Sequence, residues 1–297
     1  MLHTLLTTRD GACLAGLEDK PVVAVLGGIS ATHDPRAWWP SVVGDDRPVD
    51  TREFRVLGVD WLDGGARADG RPERTISTHD QARFLDEVLG ELGIDRLHTL
   101  IGASYGGMVG LAFAERYPAR VEQLAIISAP AHAHPMSTAL RSIQRRIVEL
   151  GLETGRAHDA VAIARGLAMT SYRSASALAE QFADGADDAG RFAVDSYLRH
   201  RGEQFAHSFT AARFLALSLS ADLHRVDPSA IQTPAVFVAA PGDTIVPFEQ
   251  MAHLAACWGG PCRLVETPTR TGHDAFLAEP HAVGGILHDL LTSQVPA

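Results

Sequence analysis

One twelve-residue segment constrains this chain more than any other: Leu97-His-Thr-Leu-Ile-Gly-Ala-Ser-Tyr-Gly-Gly-Met. It carries the pattern G-x-S-x-G at Gly102, Ser104 and Gly106, with the apolar run Leu97–Ile101 before it and helical periodicity over Gly107–Tyr117 after it. A serine on so tight a strand-to-helix turn is strained, and side chains two positions away on either side would clash. Glycine at both flanks removes the clash and leaves the hydroxyl exposed. The helix that follows points its N-terminus at the hydroxyl, so its amides and dipole favour a developing negative charge. Without that context, the five-residue pattern would also suit a glycine-rich turn with no chemistry.

The rest of the chain supplies matching elements. Pro21–Leu26, Phe54–Val59, Val121–Ser128, Pro234–Ala240 and Cys262–Glu266 are short apolar runs that read as buried strands. Thr78–Leu92 has apolar residues at helical spacing. Strands alternating with helices imply an α/β protein, a mostly parallel sheet with helices on both faces. The middle differs. Between about Ala131 and Ala230 helical periodicity dominates, over Val148–Leu150, Ala160–Met169, Ser174–Phe182 and Tyr197–Leu219. This predicts a core built from residues 1–130 and 231–297, with 131–230 inserted as a helical lid. The polar, glycine-rich stretch Asp63–Arg74 reads as a surface loop.

A serine hydroxyl needs a base to take its proton. An α/β-hydrolase fold supplies its partners in the chain order serine, acid, histidine. Asp243 follows a strand in Ala240-Pro-Gly-Asp, and His273 lies after the last strand in Thr271-Gly-His-Asp-Ala-Phe-Leu. Alone, Asp243 is equally a turn-former and His273 is one of fourteen histidines. With the elbow, the two become the expected acid and base. An oxyanion hole needs two backbone donors, here the amide of Tyr105 and that of Gly28 or Ile29 in the loop after Leu26.

Bulk properties narrow the function. The net charge of −10 argues against a nucleic-acid binder while leaving room for a local basic pocket. No apolar run reaches the roughly 20 residues of a membrane span. The N-terminal stretch lacks a secretory pattern, which favours a cytoplasmic location. Cys13, Cys257 and Cys262 are sparse and odd in number, so reduced thiols are expected. His132 and His134 have no third ligand at a useful spacing, so no metal is expected.

The extended elbow Ser104-Tyr-Gly-Gly-Met resembles the S-x-G-G-M of the homoserine O-acyltransferase family, and Gly272-His-Asp-Ala-Phe-Leu resembles its histidine motif. Ala164-Arg-Gly-Leu-Ala-Met-Thr-Ser-Tyr-Arg-Ser and Val194-Asp-Ser-Tyr-Leu-Arg-His-Arg-Gly-Glu-Gln-Phe also look familial. These two lid stretches matter most, because a generic hydrolase would not carry them. The resemblance runs from about Val22 to near the C-terminus. It implies transfer of an acyl group from acyl-CoA to homoserine through an acyl-serine, a step towards methionine, with no bound cofactor. It further implies that Arg165, Tyr172 and Asp274 hold homoserine, and that the protein is a homodimer. The chemistry agrees, since a zwitterion needs a cation and an anion.

The sequence also departs from the family. The oxyanion loop reads Leu26-Gly-Gly-Ile-Ser-Ala, where many acetyl-transferring members have A-L-T-G. Smaller residues there would admit a longer acyl group, which favours succinyl over acetyl, with Arg36 or His33 as candidate cations for the free carboxylate. Arg141, Arg145 and Arg146 are candidates for CoA phosphates or simply a charged helix face. Three alternatives share the fold: a serine O-acyltransferase, an esterase or thioesterase with water as acceptor, and a non-catalytic binding module.

Overall fold

A computed structural model of the chain describes residues 5–9, 11–267 and 269–292. Its strands are β1 (Leu5–Arg9), β2 (Ala12–Gly16), β3 (Val22–Leu26), β4 (Val43–Gly44), β5 (Val49–Asp50), β6 (Arg55–Val59), β7 (Leu97–Ala103), β8 (Val121–Ile127), β9 (Ala235–Ala239) and β10 (Cys262–Glu266). Its helices are α1 (Pro35–Trp38), α2 (Thr78–Glu91), α3 (Tyr105–Arg116), α4 (Pro135–Glu153), α5 (Ala157–Tyr172), α6 (Ala175–Gln181), α7 (Ala193–Ala206), α8 (Ala211–Leu223), α9 (Phe248–Ala256), α10 (Ala275–Ala278) and α11 (Pro280–Thr292).

Eight strands form one sheet in the order β1-β2-β6-β3-β7-β8-β9-β10. Every pairing from β6 to β10 is parallel, as the run of continuous apolar strands implies. The antiparallel hairpin β1–β2, which joins β6, was not anticipated. Alternate side chains on each strand enter different cores. Ala24, Leu100, Leu124 and Phe237 pack with α2, α3 and α9 on one face. Val23, Ile101, Ala125 and Val236 pack with α11 and Trp39 on the other. The α2 helix starts where expected because Ser77 and Asp80 form a capping box, each side chain accepting from the other's backbone amide.

The helices α4 to α8 all lie between β8 and β9, within the expected 131–230 interval. One expected helix is two. Tyr197–Leu219 is broken between α7 and α8, because Thr210 caps a new helix by accepting from the Arg213 amide at 3.2 Å. Ladder register sets the position of the site. Leu26 pairs with Gly102 and Ala103 with Ile127, so the loops after β3, β7 and β8 emerge together at the carboxyl edge of the sheet. No helix among the described residues is long and apolar enough to cross a membrane.

Candidate active site

Ser104 sits between β7 and α3 with φ 53° and ψ −120°, a conformation that L side chains rarely adopt. Close packing explains how it is held. A Cβ on Gly106 would fall 2.2 Å from the Leu26 carbonyl oxygen, and one on Gly102 would fall 2.5 Å from that of Gly106. The third glycine of the elbow has the same reason, since a Cβ on Gly107 would lie 2.5 Å from the Ala129 Cβ. The Gly106 amide donates to the Gly27 carbonyl at 2.8 Å, tying the elbow to the loop after β3.

Asp243 and His273 meet Ser104 although they are distant in sequence. His273 Nε2 lies 2.8 Å from Ser104 Oγ, and Nδ1 lies 2.7 Å from Asp243 Oδ2. The two oxygens of Asp243 have different partners. Its Oδ1 accepts from the Ile245 and Val246 amides at 2.8 and 2.9 Å, which closes the turn, and Oδ2 faces the imidazole. Both residues are buried. Burial alone would lower the His273 pKa, but the charge of Asp243 and its hydrogen bond outweigh this and raise it above the ordinary value. The histidine turn is anchored to the helical insertion, where the Ser174 amide donates to the Thr271 carbonyl at 2.9 Å.

Tyr105 opens α3, so its amide has no carbonyl one turn earlier in the helix to bond. Gly28, Ile29 and Tyr105 line the same cavity as Ser104, which has a volume of about 180 Å³. The cavity therefore holds all the expected oxyanion residues beside the nucleophile. The Gly28 carbonyl accepts from Trp61 Nε1 at 3.0 Å, which fixes this loop. The Tyr105 phenol is buried and bonded to Ser220, and burial pushes its pKa up to about 12, so it stays neutral.

Arg165, Tyr172 and Asp274 line that cavity too. The Arg165 guanidinium lies 5.0 Å from the Tyr172 ring centre and 4.8 Å from that of Phe205, so α5 presents both residues on one face. No described residue pairs with the charge of Arg165, and none donates a hydrogen bond to Asp274. Burial raises the Asp274 pKa, while the charges of His273 and Arg165 act in the opposite sense. An uncommitted cation and an uncommitted anion thus face one small chamber with a hydrogen-bonded serine.

Residues 21–280 match the α/β-hydrolase fold family. A homoserine O-succinyltransferase of Xanthomonas campestris is 39% identical, over 92% of this chain and 76% of its own length. The chain belongs to the homoserine O-acyltransferase family. It is an acyltransferase of the α/β-hydrolase fold. A homoserine O-acetyltransferase of Thermus thermophilus is 30% identical over 94% of this chain and 78% of its own. A serine O-succinyltransferase of Litchfieldella anticariensis is also 30% identical, over 94% and 90%. The fold is shared with the homoserine O-acetyltransferase of Bacillus anthracis, with TM-score 0.80, 13% identity and coverage of 99% and 98%. It is equally shared with an acetylester hydrolase of Corynebacterium glutamicum, with TM-score 0.78, 16% identity and coverage of 95% and 90%.

Within this family site, the expected acyl cations are displaced. His33 Nδ1 lies 2.8 Å from Asp60 and Arg36 Nη2 lies 3.0 Å from Asp34, and neither residue lines the cavity. Acidic residues close in sequence or in space neutralise both. Arg141 does line the cavity, whereas Arg145 bonds Ser218 and Asp222 and Arg146 lines a separate shallow groove. Of the two adjacent tryptophans, Trp38 lines the cavity and Trp39 is core, its indole donating to the Phe276 carbonyl at 2.8 Å. His134 caps α4, its Nδ1 accepting from the Met136 amide at 3.3 Å. Among the described residues, His158, Glu203 and His207 could offer three ligand atoms to a metal, but all three are exposed and lie outside the cavity lining. The three cysteines are free thiols.

Proposed function

We propose that this protein moves an acyl group from acyl-CoA to the hydroxyl of homoserine in two half-reactions. Ser104 Oγ attacks the thioester carbonyl as His273 Nε2 takes its proton, and Asp243 stabilises the resulting imidazolium. The amides of Tyr105 and of Gly28 or Ile29 receive the oxyanion. The carbon–sulfur bond breaks, and the thiol leaves with the proton from His273. Homoserine then enters with its carboxylate on Arg165 and its ammonium on Asp274. His273 takes its hydroxyl proton, the alkoxide attacks the acyl-serine, and Ser104 regains a proton as it leaves.

The observation that carries this reading is that Arg165 and Asp274 line one chamber with Ser104. An esterase for neutral substrates has no use for two uncommitted opposite charges there. The helical insertion acts as the lid that excludes water, the competing acceptor. Serine differs from homoserine by one methylene, which a pocket separates by only about 1–3 kcal/mol, so serine remains the second candidate. The protein acts in the cytoplasm on the route to methionine, in keeping with its free thiols. It does so as a homodimer, and Ile143 and Leu150 on α4, 49% and 61% exposed, are apolar surface that a partner would cover.

The test follows free thiol and O-acyl product together, with homoserine, with serine and with no acceptor. We expect O-acylhomoserine as the main product and thiol release stimulated by homoserine at least about tenfold. Equal thiol release without an acceptor would make the protein a thioesterase.

A further inference from the structure

Two arginines share one buried carboxylate beside the cavity. Asp222 on α8 has a side chain only 7% exposed, and it faces three α4 side chains. Thr138 donates to Oδ1 at 2.9 Å, Arg141 Nε to Oδ1 at 2.7 Å, and Arg145 Nη1 to Oδ2 at 2.6 Å. One negative charge thus answers two positive charges, and the cluster keeps a surplus cation. Arg145 is committed to Asp222 and Ser218 and does not line the cavity. Arg141 does line it, with Ser137 and Gln144 from the same helix face, and 16% of its side chain remains exposed there. Its Nε and Nη2 lie against Asp222, while Nη1 donates to no described residue. The charge of Arg141 is close enough to oppose protonation of His273.

We propose that Arg141 receives the free carboxylate of a dicarboxylic acyl group, such as succinyl, carried by Ser104. This inference rests on the acyl-transfer reading and adds its donor class. A thioester donor brings two kinds of anion, the acyl carboxylate and the CoA phosphates. The phosphates lie a pantetheine arm away from the thioester, whereas Arg141 shares a chamber with the nucleophile. Homoserine is neutral overall and is already matched by Arg165 and Asp274. An acetyl methyl would leave the surplus cation unanswered, so the site discriminates between donors by what it fails to satisfy. Asp222 acts through Arg141 as a positioning residue, its carboxylate accepting from Nε and lying 2.6 Å from Nη2.

The experiment compares Arg141→Gln and Arg141→Lys with the unaltered protein, using succinyl-CoA, acetyl-CoA and the N-acetylcysteamine thioesters of both acids. The small thioesters have no phosphates. The succinyl-to-acetyl ratio of kcat/KM should fall about 10- to 100-fold in Arg141→Gln, the range expected for losing a charge-assisted hydrogen bond. Arg141→Lys should keep part of that ratio, and the homoserine KM should change little. The same loss should occur with the N-acetylcysteamine thioesters. An unchanged ratio, or a loss confined to the CoA donors, would overturn the proposal. Labelling of Ser104 by an uncharged fluorophosphonate monitors the fold, and labelling at the unaltered rate in Arg141→Gln shows an intact site. If the unaltered protein released thiol but made no O-acylhomoserine from any donor, the underlying transfer reading would fail instead.

Discussion

At the residue scale, the proposed reaction assigns its pH dependence to His273. As a base it must be neutral, and Asp243 raises its pKa above the ordinary 6.5 of a histidine against the opposing effect of burial. Activity is therefore present above the raised pKa and lost as pH falls through it. We predict an acid limb in kcat/KM with a midpoint above that ordinary value. In Asp243→Asn the larger raising influence is gone and only the charge of Asp274 is left to oppose burial, so the midpoint should move to lower pH. The rate should also drop by about 10⁴-fold, the size of the effect in the serine-protease template. A pH–rate profile of both proteins checks the shift, and an unmoved midpoint would detach Asp243 from the imidazole. The residues of this relay were legible because each carries a local pattern: the glycines at 102 and 106, the turn at Asp243, the motif at His273. Gly107 was legible only as part of a family motif. Its physical reason, contact with Ala129, requires knowing that β7 and β8 are neighbours.

At the scale of elements, the proposed reaction assigns to α5 the task of making a transferase site out of a hydrolase site. Arg165 and Tyr172 are two turns apart, and their stacking requires the helix to persist between them, as it does. Replacing Arg165 with leucine should raise the homoserine KM about 10- to 100-fold, for loss of charge-assisted hydrogen bonds to the acceptor carboxylate. Acylation by the donor should proceed nearly as before. Rapid-quench measurement of the first half-reaction, set beside steady-state KM, separates the two effects. An equal loss in both steps would mean that Arg165 holds the fold and not the acceptor. Other element-level facts were hidden from the sequence. The bridge from α4 to α8 links Arg141 with Asp222, 81 positions apart, and no local pattern announces it. The cations nearest the oxyanion loop in sequence were the wrong ones, because Asp34 and Asp60 occupy Arg36 and His33. The hairpin β1–β2 also escaped, since β2, Ala-Cys-Leu-Ala-Gly, has no β-branched or aromatic residue to mark it as a strand.

At the scale of the molecule, the sheet brings chain-distant segments to one edge and the helical insertion roofs them. The sequence made the alternation of strands and helices plain, because doubly covered strands are continuous apolar runs. It made the insertion plain because strand signals stop between about Ala131 and Ala230. What it could not supply was the cavity, which forms only when α4, α5, α8 and the histidine turn meet over Ser104. That enclosure is what would let a bound alcohol outcompete water for an acyl-serine. The most direct measurement is intact-protein mass spectrometry after brief mixing with acyl-CoA and no acceptor, followed by a chase with homoserine. The account predicts a mass increase of one acyl group on the peptide containing Ser104, stable for many turnover times in buffer and cleared at once by homoserine. An acyl group that never forms, that sits on another residue, or that water removes as fast as homoserine does, would contradict it.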